Sequence, residues 1–295
     1  MSRLKDAIEA GKFVLTEEIS SPKGVDISEE MEKLEKYLRG RITAINVCDN
    51  PSAVMRMNPI ALCHKLVEAG YDPILHITCR DRNRLALQSE ILGAYLLGIR
   101  NVLSITGDPP TSGDHPDAKP VFDLDAVTLL QTLDKLRSGK DLAGNDLKGA
   151  PKDLFAGATV APGADPLDVQ ISKMAKKIEA GARFFQTQAI YDPVRFEAFM
   201  NKAAKFKLPV IAGIVIVKSP QMARHMNETF GGVHIPDSMI KPLADAGKDD
   251  RPKVAIELMA KLMKELKPMC QGFHIMPIGW ERYVPELIKQ AGLAQ

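Results

Sequence analysis

The chain has 295 residues, 45% hydrophobic and 26% charged, with 39 basic side chains against 37 acidic ones and a formal net charge of +2. That balance suits a globular chain with a large buried core and excludes a surface built to track a polyanion. No apolar run approaches the roughly 18 residues needed to cross a bilayer. The four cysteines (Cys48, Cys63, Cys79, Cys270) lack the C-x-x-C spacing that holds zinc or an iron–sulfur cluster. Neither nucleic acid nor membrane is expected as a partner, and no metal is expected in this chain. Met1 to Phe13 is charged and amphipathic rather than a signal peptide, so reduced thiols in the cytoplasm are expected.

Short β-rich runs alternate with longer segments of helical period. The first strand is expected over Phe13 to Ile19 and a helix over Ile27 to Leu38. Strand two spans Ile42 to Cys48, its helix Pro59 to Ala69; strand three spans Pro73 to Cys79, its helix Arg84 to Leu97. Strand four runs from Asn101 to Thr106 and stops at Gly107-Asp108-Pro109-Pro110, where the proline pair forbids continuation. Its helix covers Asp125 to Leu136, with Asp123 or Asp125 as N-cap. The polar stretch Ser138 to Gly149 reads as a hairpin insertion.

The rhythm resumes with strand five (Leu154 to Val160) and a helix over Pro166 to Ala180. Strand six (Arg183 to Ile190) precedes a helix over Pro193 to Lys205, and strand seven (Pro209 to Val217) one over Pro220 to Thr229. An irregular insertion is expected over Gly231 to Asp249, then a helix over Pro252 to Leu266. Strand eight is Gly272 to Ile278 and the last helix Val284 to Ala291. Eight strand–helix units in strict alternation predict one closed (β/α)8 barrel, a TIM barrel, over residues 1–295. The competing open sheet would need a Gly-x-Gly-x-x-Gly turn after the first strand, and none is present.

Such barrels keep their chemistry at the C-terminal ends of the strands. Those ends carry Glu17-Glu18, Cys48-Asp49-Asn50, His76 and Thr78, Thr106 and Asp108, Gln186 and Gln188, and Trp280-Glu281. Acids and amides in strands buried on both faces are costly unless paired or used, so the collection predicts an active site. Adjacent Glu17 and Glu18 must face opposite ways, one into the barrel mouth. Taken singly, His76 also reads as a core histidine, Asp108 as a turn former and Gln188 as a satisfied wall amide.

The ordered motifs resemble the methylenetetrahydrofolate reductase family. They are Val14-Leu-Thr-Glu-Glu18-Ile-Ser-Ser-Pro22, Leu75-His76-Ile-Thr78-Cys79, Thr106-Gly107-Asp108-Pro-Pro, and Gly181 to Gln188 followed by Tyr191-Asp192. The resemblance implies a flavin, FAD with FMN as the alternative, across the barrel mouth and a folate stacked on its ring. It assigns Glu18 as general acid with a raised pKa, Asp108 as a catalytic and substrate-binding group beside the flavin, and Gln188 as the amide that orients the folate. Flavin contacts fall on Cys48, His76, Thr106, Gly107, Asp108, Ala161, Asp165 and Lys177. The implied reaction reduces 5,10-methylenetetrahydrofolate to 5-methyltetrahydrofolate, or runs in reverse.

Strand eight departs from that pattern. Where well-studied members carry a tyrosine and an arginine this chain has Phe273-His274-Ile-Met276-Pro-Ile-Gly-Trp280-Glu281, with Arg282 and Tyr283 following a few residues late, and Leu243 stands roughly where an aromatic residue stacks the nicotinamide. These departures resemble the one-carbon-assimilation branch, in which a partner subunit holding zinc and iron–sulfur centres feeds the flavin. The chain is then part of a homo- or hetero-oligomer. A folate-handling methyltransferase and a non-catalytic folate-binding subunit are the other readings; bound yellow flavin separates the first from the reductase, and a chemical need for Glu18 the second.

Overall fold

The computed structural model describes residues 2–293. Eight parallel strands close in sequence order into a barrel. They are β1 (Val14–Ser20), β2 (Ala44–Cys48), β3 (Pro73–Thr78), β4 (Asn101–Ile105), β5 (Phe155–Val160), β6 (Phe184–Ala189), β7 (Val210–Val215) and β8 (Gly272–Met276). Each lies within a residue or two of its expected position, because a strand buried on both faces shows as a nearly unbroken apolar run.

The outer layer contains α2 (Ser28–Lys33), continued by a wider π turn over Leu34–Leu38, then α3 (Pro59–Glu68), α4 (Arg84–Leu96) and α5 (Ala126–Arg137). It is completed by α6 (Leu167–Glu179), α7 (Pro193–Ala203), α8 (Pro220–Thr229), α10 (Arg251–Leu266) and α11 (Val284–Gln290). Asp125 is the N-cap of α5, in a capping box whose carboxylate accepts from Thr128 N at 2.8 Å. The expected hairpin at 138–149 is held by a single antiparallel bridge between Lys140 and Asp146.

Two segments differ from the sequence reading. Part of the supposed irregular insertion at 231–249 forms helix α9 (Asp237–Asp245), despite the internal Pro242. Its Met239, Ile240 and Leu243 are buried in the helix layer, so packing overrides the helix-breaking signal. The amphipathic N-terminus forms α1 (Arg3–Glu9), which belongs to none of the eight units and closes the bottom of the barrel. Leu4 packs there against Val14, Ala44, Ile74, Leu103, Phe155, Phe184 and Ile211. The helix is anchored by Asp72, which accepts from Leu4 N at 2.8 Å and Asn101 Nδ2 at 2.9 Å.

Side-chain volumes in this floor are matched. A Cβ at Gly157 would lie 2.3 Å from the Phe184 ring. Glycine on β5 is therefore what admits that ring, which stacks on Phe155 at 5.1 Å.

Strand β1 sends Val14 into the barrel floor and Leu15 into the outer core, so Glu17 turns outward with Leu15. It is fully buried there, and neither carboxyl oxygen has a hydrogen-bond partner among the described residues. Burial, reinforced by the charge of Glu281, pushes its carboxyl well above the usual range. The raised value means that stability is fully present below the unfolded pKa and is lost as pH rises through the folded one. We expect Glu17→Leu to stabilise the protein by roughly 1–3 kcal/mol at neutral pH, and by less near pH ~4.5. Urea unfolding at both pH values checks this; equal or lower stability of the variant at neutral pH would contradict it.

Candidate active site

The odd–even alternation of the strands places a polar layer directly above the apolar floor. Thr16 on β1, Asn46 on β2, His76 on β3, Gln186 on β6 and His274 on β8 are all buried inside the barrel. Their hydrogen bonds form one chain. Asn46 Nδ2 reaches His76 Nε2 at 2.8 Å and donates to Gln186 Oε1 at 2.7 Å. Gln186 Nε2 donates to Asn46 Oδ1 and to Thr16 Oγ1, both at 3.1 Å. The Thr16 hydroxyl lies 3.0 Å from His274 Nδ1, and His274 Nε2 lies 3.4 Å from Glu18 Oε2. The Glu18 carboxylate can only accept, so in this bond His274 Nε2 carries the proton.

Above this layer a cavity of about 490 Å³ opens at the C-terminal ends of the strands. Glu18, Cys48, His76, Thr106, Gly107, Asp108, Lys177 and Gln188 all line it. Their convergence from five strands or strand ends and one helix is what a barrel mouth provides. Ala161 and Asp165, the other expected flavin contacts, are not among the residues that line this cavity. Asp165 is exposed and pairs with Arg195 on α7 at 2.5 Å. Gln188 does not continue the inward wall as Gln186 does. A register shift between Gln186 and Ala189 interrupts the β6–β7 ladder, and Gln188 is exposed at the rim.

Electrostatics differ from expectation at Glu18. Burial pushes its carboxyl up, but hydrogen bonding and charge from His274, aided by the Cys48 thiol, bring it below the ordinary value. The general-acid expectation of a raised pKa is therefore not met by this chain's own groups, because the barrel supplies donors as well as burial. His76 is driven down to about 4 by burial, and is neutral at physiological pH. Burial lowers Lys177 to about 8, with its Nζ donating to Thr159 O at 2.7 Å.

Three side chains were missed as site residues. Arg80 is buried in the cavity wall, where it donates to Asp108 O and Asn50 O at 3.3 Å. Asn46 and His274 interrupt apolar strands, and that polar interruption was the available signal. Asp49 ties β2 to β3, accepting from Thr78 N and Oγ1 at 2.8 Å and pairing with Arg82. The rim is tied by Asp114, which accepts from Lys23 Nζ at 2.7 Å and Met55 N at 2.9 Å. Trp280 stands outside the cavity walls and packs edge-on against Tyr283. Leu243 is buried in α9.

Solved structures share the architecture. An uncharacterized protein from Clostridium thermocellum, described as binding two copies of 5-methyl-5,6,7,8-tetrahydrofolic acid, aligns with a TM-score of 0.63 over 98% of each chain at 16% identity. A 2,3-dimethylmalate lyase aligns with a TM-score of 0.52 over 99% of this chain and 88% of its own at 11% identity, so the fold does not choose the reaction. Sequence relatives are narrower. Methylenetetrahydrofolate reductase 2 of Schizosaccharomyces pombe is 27% identical over 74% of this chain and 35% of its own length. The 5,10-methylenetetrahydrofolate reductase of Pectobacterium carotovorum is 26% identical over 58% of this chain and 52% of its own. The chain thus spans between a third and about half of the length of these curated relatives. The methylenetetrahydrofolate reductase family profile matches residues 3–292, essentially the whole barrel, and the chain belongs to that family.

Proposed function

We propose that this barrel reduces 5,10-methylenetetrahydrofolate to 5-methyltetrahydrofolate with a bound flavin. The observation that carries the reading is Glu18, a carboxyl at the base of the cavity oriented by a buried histidine. Family membership narrows the chemistry that such an acid serves.

The cavity walls fit a flavin. Gly107 has φ +96° and a Cβ there would lie 3.0 Å from Thr78 Cβ and 3.2 Å from Arg80 Cβ, so glycine lets this strand end lie close against β3 in the cavity wall. Thr106, His76, Cys48 and Arg80 complete that wall, and Lys177 offers a desolvated cation for phosphate. A bound flavin, FAD in this reading, supplies hydride to the substrate carbon.

The remaining work belongs to side chains of the chain. Glu18 delivers a proton to a folate nitrogen, which opens the methylene bridge to an iminium. His274 holds the carboxylate through Nε2–H and thereby sets its direction. Gln188 offers the pterin edge one donor and one acceptor from the rim. Asp108, also at the rim, places negative charge beside the reacting rings. A folate lying over Glu18 removes water and raises its proton affinity, which reverses the depression set by His274.

Electrons reach the flavin from a partner subunit in this reading. Its support is the β8 side of the cavity, where Met276 stands, together with the placement of Trp280 and Leu243 outside the walls.

Replacing Glu18 with Gln should leave flavin absorbance intact and lower folate reduction by about 100- to 10,000-fold. In the wild type kcat/KM should rise as pH falls from about 8 to about 6, since in the free enzyme an acid held low is scarcely protonated at neutrality. Steady-state turnover across that range tests both; a Glu18→Gln enzyme within a few-fold of wild type removes the assignment. Gln188→Ala should weaken folate binding by about 1–3 kcal/mol and leave the flavin potential unchanged, as read by titration and spectroelectrochemistry. For the partner, stopped-flow mixing of the isolated chain with NADH should show slow flavin bleaching; reduction as fast as turnover would argue against a separate electron donor.

A further inference from the structure

Three residues on neighbouring strands, Glu18, Cys48 and His76, bring donor atoms within 4.8 Å of one another. A carboxylate oxygen, a thiol and an imidazole form a mixed hard–soft donor set of the kind that zinc accepts. Tetrahedral coordination with bonds of about 2.0–2.3 Å requires ligand atoms roughly 3.5 Å apart, so modest rotamer adjustments suffice. All three side chains line the cavity, which leaves a fourth position open toward it. Their spacing in the sequence, 30 residues and then 28, matches no linear metal motif and arises from strand adjacency.

We propose that Glu18, Cys48 and His76 form an inhibitory site for a thiophilic divalent cation such as zinc, which competes with folate protonation. Binding replaces the Cys48 S–H by an S–metal bond and releases that proton to solvent, while the carboxylate of Glu18 becomes a ligand and can no longer carry a proton. No redox step is involved.

The polar layer below accommodates the change. A metal on Nδ1 of His76 needs the ring proton on Nε2, and Asn46 must then present its oxygen there. Asn46 and Gln186 exchange bonds in both directions, so both amides can turn over together and keep their mutual pair, with the Thr16 hydroxyl then donating to the Gln186 oxygen. His274 stays against Glu18 as a support outside the ligand set. The cation thus occupies groups already poised by the fold, at the one carboxyl the reaction needs. That inhibitory consequence rests on the reading of Glu18 as proton donor; metal binding does not.

The test has two arms. In the first, the purified chain is stripped of metal by chelator and titrated with Co2+ alone. A near-ultraviolet thiolate-to-cobalt band saturating near one equivalent is expected, lost in Cys48→Ser and weakened at least about ten-fold in affinity in His76→Gln. No band, or an undiminished band in Cys48→Ser, overturns the site, because the thiolate would then come from Cys63, Cys79 or Cys270. Circular dichroism of each variant confirms that loss of the band is not loss of fold. In the second arm, the ratio of folate-reduction rates with and without about one equivalent of Zn2+ is measured. The ratio should fall about ten-fold or more in wild type, recover with EDTA, and stay near unity in Cys48→Ser whatever its own rate. Cobalt binding without zinc inhibition overturns the inhibitory role. Failure of the reductase reading shows separately, as absence of folate reduction in metal-free wild type alongside an intact cobalt band.

Discussion

Closing eight strands into a barrel makes a dry interior, and every polar group sent into it must find a partner there. Thr16, Asn46, His76, Gln186 and His274 meet that demand with one another, in a chain of hydrogen bonds that crosses the barrel. The chemistry above depends on this closure. Each bond leaves a definite proton arrangement at its end: a neutral His76 on one side and an Nε2–H of His274 aimed at Glu18 on the other. Removal of Thr16, Asn46 or Gln186 would orphan two neighbours in a medium where an unpaired polar group costs about 1–3 kcal/mol. The layer therefore acts as a rigid base for the mouth as well as a part of the core.

The same strand shows how little separates a functional from a costly acid. Glu17 and Glu18 are identical side chains, one residue apart, divided only by the two-residue period of the pleat. Glu18 turns into the barrel, meets His274 and Cys48, and titrates low. Glu17 turns to the helix layer, finds no donor among the described residues, and has its proton affinity raised by burial and by Glu281. The opposite shifts follow from the donors that each environment offers, since both carboxyls are largely removed from water.

The barrel is also asymmetric along its axis. At the bottom, α1 drives Leu4 into an apolar floor and Asp72 seals the helix with hydrogen bonds. At the top, β6 turns Gln188 out through a register shift, and Asp114 ties the rim loops together. Stability is concentrated where packing is densest, and the adaptable polar groups stand where the backbone stops pairing.

Strand and helix identities could be read from residues alone, because burial on two faces and helical period are local properties of the chain. Eight alternating units then left few topologies, and Glu18, His76, Asp108 and Gln188 stood out as polar breaks at strand ends. Other features were settled only by tertiary contact. Helix α9 forms because its apolar stripe lands on the outer core despite Pro242. Asp165 pairs with Arg195, 30 residues on, which no local pattern announces. Glu18 titrates low because His274, 256 residues away in sequence, reaches its carboxylate. Local patterns report which face of an element is buried. They carry no record of which distant side chain will lie opposite, and that pairing decides proton affinity and ligand geometry.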